Sequence, residues 1–221
     1  MHKLAIVVPY RDREAHLNEF ILHMNNYLKN QYKIFIIEQV DDKLFNRGKL
    51  LNVGFDVCKD DYDYFALHDV DLLPTEVDYS YVDQPTHLAR RLPEFHGGSA
   101  YDENFGGATL FRKEHFLCVN GFSNEYWGWG AEDDDLRLRC TREGLKIGTR
   151  NGLYAALPHA RVGPNHSNYQ YNVKKLRAFR DETDEETAVY RYYKTEGLTT
   201  LKYEKVDEYN TDTHTVIQVT I

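Results

Sequence analysis

Cysteine, proline, methionine and basic charge are all scarce in this chain of 221 residues. It has three cysteines, six prolines and two methionines, and Lys+Arg at 27 falls short of Asp+Glu at 35. Cys58, Cys118 and Cys140 are an odd number without a CxxC pair, so neither a disulfide framework nor a zinc site is expected. They read as small buried thiols. The formal net charge of −8 argues against nucleic acid or an anionic membrane as partner, because both require basic surface. No apolar run reaches the length of a membrane span. Met1 is followed at once by His2-Lys3 and a short strand-like run, which reads as no signal peptide and a cytosolic chain, unless an upstream targeting segment has been cut away. GxSxG, P-loop and GxGxxG motifs are missing, which weighs against a serine hydrolase, a P-loop NTPase and a Rossmann dehydrogenase.

What is present fits one α/β domain over residues 1–221. Hydrophobic residues are 42% and charged residues 28%, and a chain this long buries a full core without staples. Leu4–Pro9, Lys33–Glu38 and Tyr64–His68 read as buried strands. Between them, Leu17, Phe20, Ile21, Met24 and Leu28 recur at helical spacing, and Asn46 is placed to cap a helix carrying Leu50, Leu51, Phe55 and Cys58. This β-α-β-α-β start predicts a parallel sheet. Residues 72–105 read as mostly loop with a strand near Thr86–Arg90. A strand is expected at Ala108–Phe111, helices at Lys113–Val119 and Glu132–Glu143, and helical character across 167–195. Runs around Leu198–Glu204 and Thr213–Ile221 read as antiparallel or edge strands.

Two acidic clusters could carry chemistry. Asp69-Val70-Asp71 ends a buried strand, where open α/β sheets bind ligands, and two carboxylates at i and i+2 can face a hard cation such as Mg²⁺ or Mn²⁺. The alternative is a pair of turn aspartates. Glu132-Asp133-Asp134-Asp135 follows Trp127-Gly128-Trp129-Gly130. A helix dipole alone favours acids there, but Trp is also a platform for sugar rings, and a neighbouring carboxylate can accept a hydroxyl proton. Arg11, Arg13 and Arg47 lie near strand ends, where they either fork onto a diphosphate or are solvated. His166, between Pro164-Asn165 and Ser167-Asn168, reads as a surface histidine unless a metal recruits it.

Taken in order, Val8-Pro9-Tyr10-Arg11-Asp12-Arg13, Phe45 to Phe55, Asp69-Val70-Asp71-Leu72-Leu73-Pro74, Phe105-Gly106-Gly107 and Asn120 to Asp135 closely resemble the β-1,4-galactosyltransferase family, including the xylosylprotein branch with its His-Asp-Val-Asp form, here His68–Asp71. Gly197 to Tyr203 matches as well. The resemblance covers nearly the whole chain. It implies an α/β, GT-A-type nucleotide-sugar-binding fold, with a mixed central sheet flanked by helices in a single domain. It also implies inverting, Mn²⁺-dependent transfer of galactose from a UDP-sugar to a hydroxyl, O4, of an acceptor sugar such as GlcNAc or xylose. By the same resemblance, Pro9, Arg11, Arg13, Arg47 and Val70 line the UDP site, and Asp69 touches donor hydroxyls. Asp71 and His166 bind Mn²⁺, while Trp129 and Gly107 lie beside the sugars. Asp133 is the base, and Glu132 and Asp134 orient substrates.

Three departures carry expectations of their own. The family places a second metal ligand two or three residues before its loop histidine, and Gly163 and Pro164 stand there; His159 and Asn165 are the candidate substitutes, though spacing supports neither. The disulfide cysteines of animal Golgi members are unmatched, which favours a reducing compartment over the Golgi lumen. Asn104 stands where galactose-using members carry Tyr, beside the C2 substituent of the donor, and its smaller amide admits N-acetylgalactosamine. A transferase specific for UDP-GalNAc or UDP-Glc, or a non-catalytic carbohydrate-binding relative, is the alternative reading.

Overall fold

The computed structural model describes residues 2–29, 31–89, 105–159, 166–181 and 193–221. Strand β1 (Leu4–Tyr10) is buried at every position. Its side chains alternate between two cores, as a pleated strand covered on both faces must. Leu4, Ile6 and Val8 face Phe20 and Met24 of helix α1 (Glu14–Tyr27). Ala5 and Val7 face Leu50, Leu51 and Phe55 of helix α2 (Arg47–Cys58). Strand β2 (Tyr32–Gln39) and strand β3 (Tyr64–His68) run parallel to β1 on its two sides. Helix α2 lies so close to β1 that a Cβ on Gly54 would stand 2.2 Å from Val7 Cγ1.

Beyond β3 come β4 (Leu72–Pro74), β5 (Thr86–His87), β6 (Ala108–Arg112) and the short helix α3 (Lys113–Cys118). Helix α4 (Glu132–Arg142), β7 (Gly148–Thr149), β8 (Tyr154–Ala156) and helix α5 (Tyr169–Asp181) follow. A 3-10 turn at Leu198–Thr200 leads to β9 (Glu204–Asn210) and β10 (His214–Thr220). The mixed main sheet has the order β7-β5-β6-β3-β1-β2-β10-β9, and β4 and β8 form a small second sheet.

The parallel β3-β1-β2 centre and the Asn46 cap are as the sequence predicts. Asn46 Oδ1 accepts the Lys49 amide at 2.9 Å. The run expected as a strand around Leu198–Glu204 differs from expectation. The stretch from Leu198 opens as a 3-10 turn. Strand β10 is antiparallel to β9, as expected for this run, and also parallel to β2, so of these two strands only β9 is an edge. Strands β4, β7 and β8 are two or three residues long and carry no periodicity a sequence could display. The part of the expected 167–195 helix beyond Asp181 lies outside the described residues up to Tyr193. Among the described residues no helix is long and apolar enough to cross a membrane, and the three cysteines are free thiols, with Cys58 and Cys140 buried and Cys118 exposed.

Candidate active site

Strands β1 and β3 deliver their C-terminal ends side by side, and α2 and α4 aim their first turns at the same place. Asp69 and Asp71 follow β3, Arg11 and Arg13 follow β1, Arg47 opens α2, and Glu132 and Asp133 open α4. Helix α4 has no side-chain N-cap. Ala131 precedes it with φ +79°, a left-handed conformation that costs a residue with a Cβ of order 1–3 kcal/mol. The acids of its first turn are favoured there by the helix dipole.

Arg47 is the hub. Its Nε donates to Asp69 Oδ1 at 2.6 Å and one Nη to Asp133 Oδ1 at 2.6 Å, and Glu132 Oε1 stands 3.8 Å away. Three carboxylates therefore share one guanidinium. The consequences show in the acids. Burial, reinforced by Asp133, raises the Glu132 carboxyl to about 8. Burial also raises Asp133, with Arg47 opposing and Asp69 adding to the shift. Arg47 is held firmly charged, because Asp133, Asp69 and Glu132 together outweigh its burial. Asp134 is exposed, and Asp135 is buried and turned away toward Arg139.

A second pair stands beside the first. Asp71 Oδ2 accepts from Arg13 at 2.9 Å and lies 3.0 Å from His159 Nε2. Burial and Asp69 raise the Asp71 carboxyl against the pull of His159 and Arg13. Carboxylate oxygen and imidazole nitrogen are the donors Mn²⁺ accepts. Two neighbouring ligands on an octahedral ion at about 2.1 Å stand about 3.0 Å apart, so Asp71 and His159 fit one cation. The ring of His166, the expected ligand, packs against Gly128, where a Cβ would meet it at 2.2 Å, and its Nδ1 accepts the Asn168 amide. Sequence spacing gave His159 no support, because its approach to Asp71 depends on strand β8 pairing with β4. Among the described residues no three His, Cys, Asp or Glu side chains converge as a metal cluster. Gly163 and Pro164 lie outside the described residues.

Arg11 donates to Lys43 O at 2.7 Å and lies over the Phe45 ring, 5.4 Å from its centroid. Pro9 sits next to last in β1, paired with Ile37. Val70 is buried in the core between the two aspartates. Gly107 O accepts the Asp69 amide at 2.8 Å. Trp129 is 39% exposed and stacks at a tilt on Tyr169 of α5, 5.3 Å between rings, a partner that the sequence reading did not assign. Asn104 lies outside the described residues.

An open α/β sheet with an Asp-x-Asp turn at its switch point, flanked by arginines, defines a GT-A-type fold. Residues 1–83 match the profile of the N-terminal region of glycosyl transferase group 7, and residues 86–163 that of the N-terminal domain of galactosyltransferase. The chain is 46% identical over 154 residues to β-1,4-galactosyltransferase 7 of Drosophila melanogaster, covering 66% of this chain and 47% of that protein. It is 36% identical over 230 residues to β-1,4-galactosyltransferase 1 of Mus musculus, covering all of this chain and 55% of that protein. Drosophila β-1,4-galactosyltransferase 7, solved as a mutant with manganese, UDP-Gal and xylobiose, superposes with a TM-score of 0.75 at 33% identity, covering 100% of this chain and 94% of that one. The chain belongs to the β-1,4-galactosyltransferase family. It spans about half the length of the curated relatives it matches.

Proposed function

We propose that this chain, as one domain, transfers galactose from UDP-galactose to a sugar hydroxyl with inversion, forming a β-1,4 linkage in the presence of Mn²⁺. The observation that carries the reading is Arg47, shared between the Asp69–Asp71 turn and Asp133. It joins a diphosphate-and-cation end to a general-base end through one guanidinium. Arg11, Arg13 and Arg47 offer forked donors to a diphosphate. Asp71 and His159 would hold the cation, leaving its other positions to phosphate oxygens and water. When bound, Mn²⁺ supplies a Lewis acid for the departing diphosphate. Trp129 and Tyr169 present ring faces to a sugar. Asp133 takes the proton of the attacking hydroxyl, and its burial-raised pKa brings it nearer the working pH of a base.

Transfer assays crossing UDP-Gal, UDP-GalNAc and UDP-Glc with xylose and GlcNAc acceptors, with and without Mn²⁺, test this. Expected is galactose transfer that chelation abolishes, and a chelator-resistant rate would overturn the metal assignment. Asp71→Ala should remove activity. His159→Ala should raise the Mn²⁺ requirement more than His166→Ala does, and the reverse order would return the ligand role to His166. The finer donor question rests on Asn104. Its small amide favours dual use of UDP-Gal and UDP-GalNAc, and Asn104→Tyr should then suppress GalNAc transfer selectively. A galactose preference above roughly 100-fold, about 2.7 kcal/mol, would exclude dual use.

A further inference from the structure

His68 ends β3 and is fully buried directly behind the Asp69–Asp71 turn. Its Nδ1 lies 2.8 Å from the carbonyl oxygen of Asp69, and its Nε2 lies 2.8 Å from the Tyr79 hydroxyl. The Tyr79 hydroxyl in turn lies 2.8 Å from that of Tyr154. The carbonyl can only accept, so Nδ1 carries a hydrogen. Burial lowers the imidazole to about 4, so the ring holds one hydrogen and no more. Nε2 must then accept from Tyr79. A phenol has a single hydrogen, so Tyr79, having donated to His68, accepts from Tyr154. Every hydrogen in the chain Tyr154→Tyr79→His68→Asp69 has one direction.

The two ends of this chain reach the two halves of the cation pair. At one end, His68 holds the carbonyl of Asp69, whose amide is already held by Gly107 O at 2.8 Å. At the other end, Tyr154 begins β8, and the same segment continues to Leu157, whose amide donates to Asp71 O at 2.8 Å, and to His159 on Asp71 Oδ2. Tyr79 is steadied in turn by Tyr64, which donates to its carbonyl at 3.0 Å. Phe20 packs on the His68 ring from α1. These groups have no route to substrate, and they act only through Asp69, Asp71 and His159.

We propose that His68 is a positioning residue, kept in its Nδ1–H tautomer by Tyr79 and Tyr154, that fixes the Asp69–Asp71 turn and the β8 segment at the separation a single divalent cation requires. The proposal rests on the reading of Asp71 and His159 as cation ligands. An asparagine at position 68 can set its amide nitrogen where Nδ1 stands and still donate to Asp69 O, whereas a leucine of comparable bulk cannot.

Two measurements test it on the full chain. Long-range ¹H–¹⁵N spectra of ¹⁵N-histidine-labelled protein report the His68 tautomer. Wild type should show Nδ1–H, and Tyr79→Phe should convert part of the population to Nε2–H. A wild-type Nε2–H form overturns the proposal. The second measurement is the Mn²⁺ concentration for half-maximal UDP binding by calorimetry. Tyr79→Phe and His68→Leu should raise it about tenfold, the scale of losing a group that orients a ligand, and His68→Asn should restore much of the loss. Equal Mn²⁺ requirements in His68→Asn and His68→Leu, or an unchanged one in Tyr79→Phe, also overturn it. Wild type that binds no Mn²⁺–UDP would defeat the proposed function instead, and the tautomer spectrum would still decide the positioning role.

Discussion

Two buried arginines divide the acidic run at the start of α4 between them. Arg139 is enclosed with Asp135 and Glu196, donating to them at 2.5 and 3.0 Å, and its Nη1 hydrogens reach the carbonyls of Gly121 and Glu196. Tyr126 covers the other oxygen of Asp135, and the Asn124 amide covers the other oxygen of Glu196. Each oxygen of both carboxylates has a partner. Arg47 faces three carboxylates, two of them a quarter to a third exposed, and burial lifts the acids around it. One cluster is complete and ties α4 to the 193–201 segment. The other has an excess of negative charge and an opening to solvent. Residues two apart in sequence, Asp133 and Asp135, thus serve different ends: one remains available to react, and the other is consumed by the fold.

The largest effect expected from breaking this contrast is on stability. Arg139→Met leaves two buried carboxylates unpaired and should cost about 3–5 kcal/mol in urea unfolding. Arg47→Met should cost less, because Asp69 and Asp133 keep contact with water and can take up protons, yet it should weaken UDP binding more. Equal losses of stability would mean the two clusters are energetically alike.

Next in size is the contrast between neighbours. Asp133→Asn should reduce turnover by about 10²–10⁴-fold with the fold intact. Asp135→Asn should lower the melting temperature and leave kcat per folded molecule near normal. Retained turnover in Asp133→Asn would move the base to Glu132 or Asp134.

The last contrast is a pH dependence. The Glu132 carboxyl is raised to about 8 in the folded chain, against 4.5 for the ordinary group. The unfolded chain therefore holds fewer protons at this position through that window. Its contribution to stability is full below 4.5 and is lost as pH rises toward 8. Glu132→Gln should flatten the fall in melting temperature between pH 5 and pH 8. A slope identical to wild type would show that Glu132 is not the proton carrier of the Arg47 cluster.

The sequence by itself determined the parallel β-α-β-α-β start, the cap at Asn46 and the position of both acidic clusters. Each of these is local: buried strands are continuous apolar runs, helices repeat at 3.6 residues, and caps are single side chains. The family was legible in motifs set in order along the chain. Which acid of Glu132–Asp135 meets which arginine was decided only by tertiary structure, because Arg47 comes from another helix and Arg139 lies one turn further along the same one. The partner of Asp71 was likewise beyond the sequence. His159 and Asp71 are 88 residues apart and meet through a three-residue strand pair, β4 with β8, too short to leave a pattern. The direction of hydrogens from Tyr154 to Asp69 follows from burial, which only the packed molecule creates.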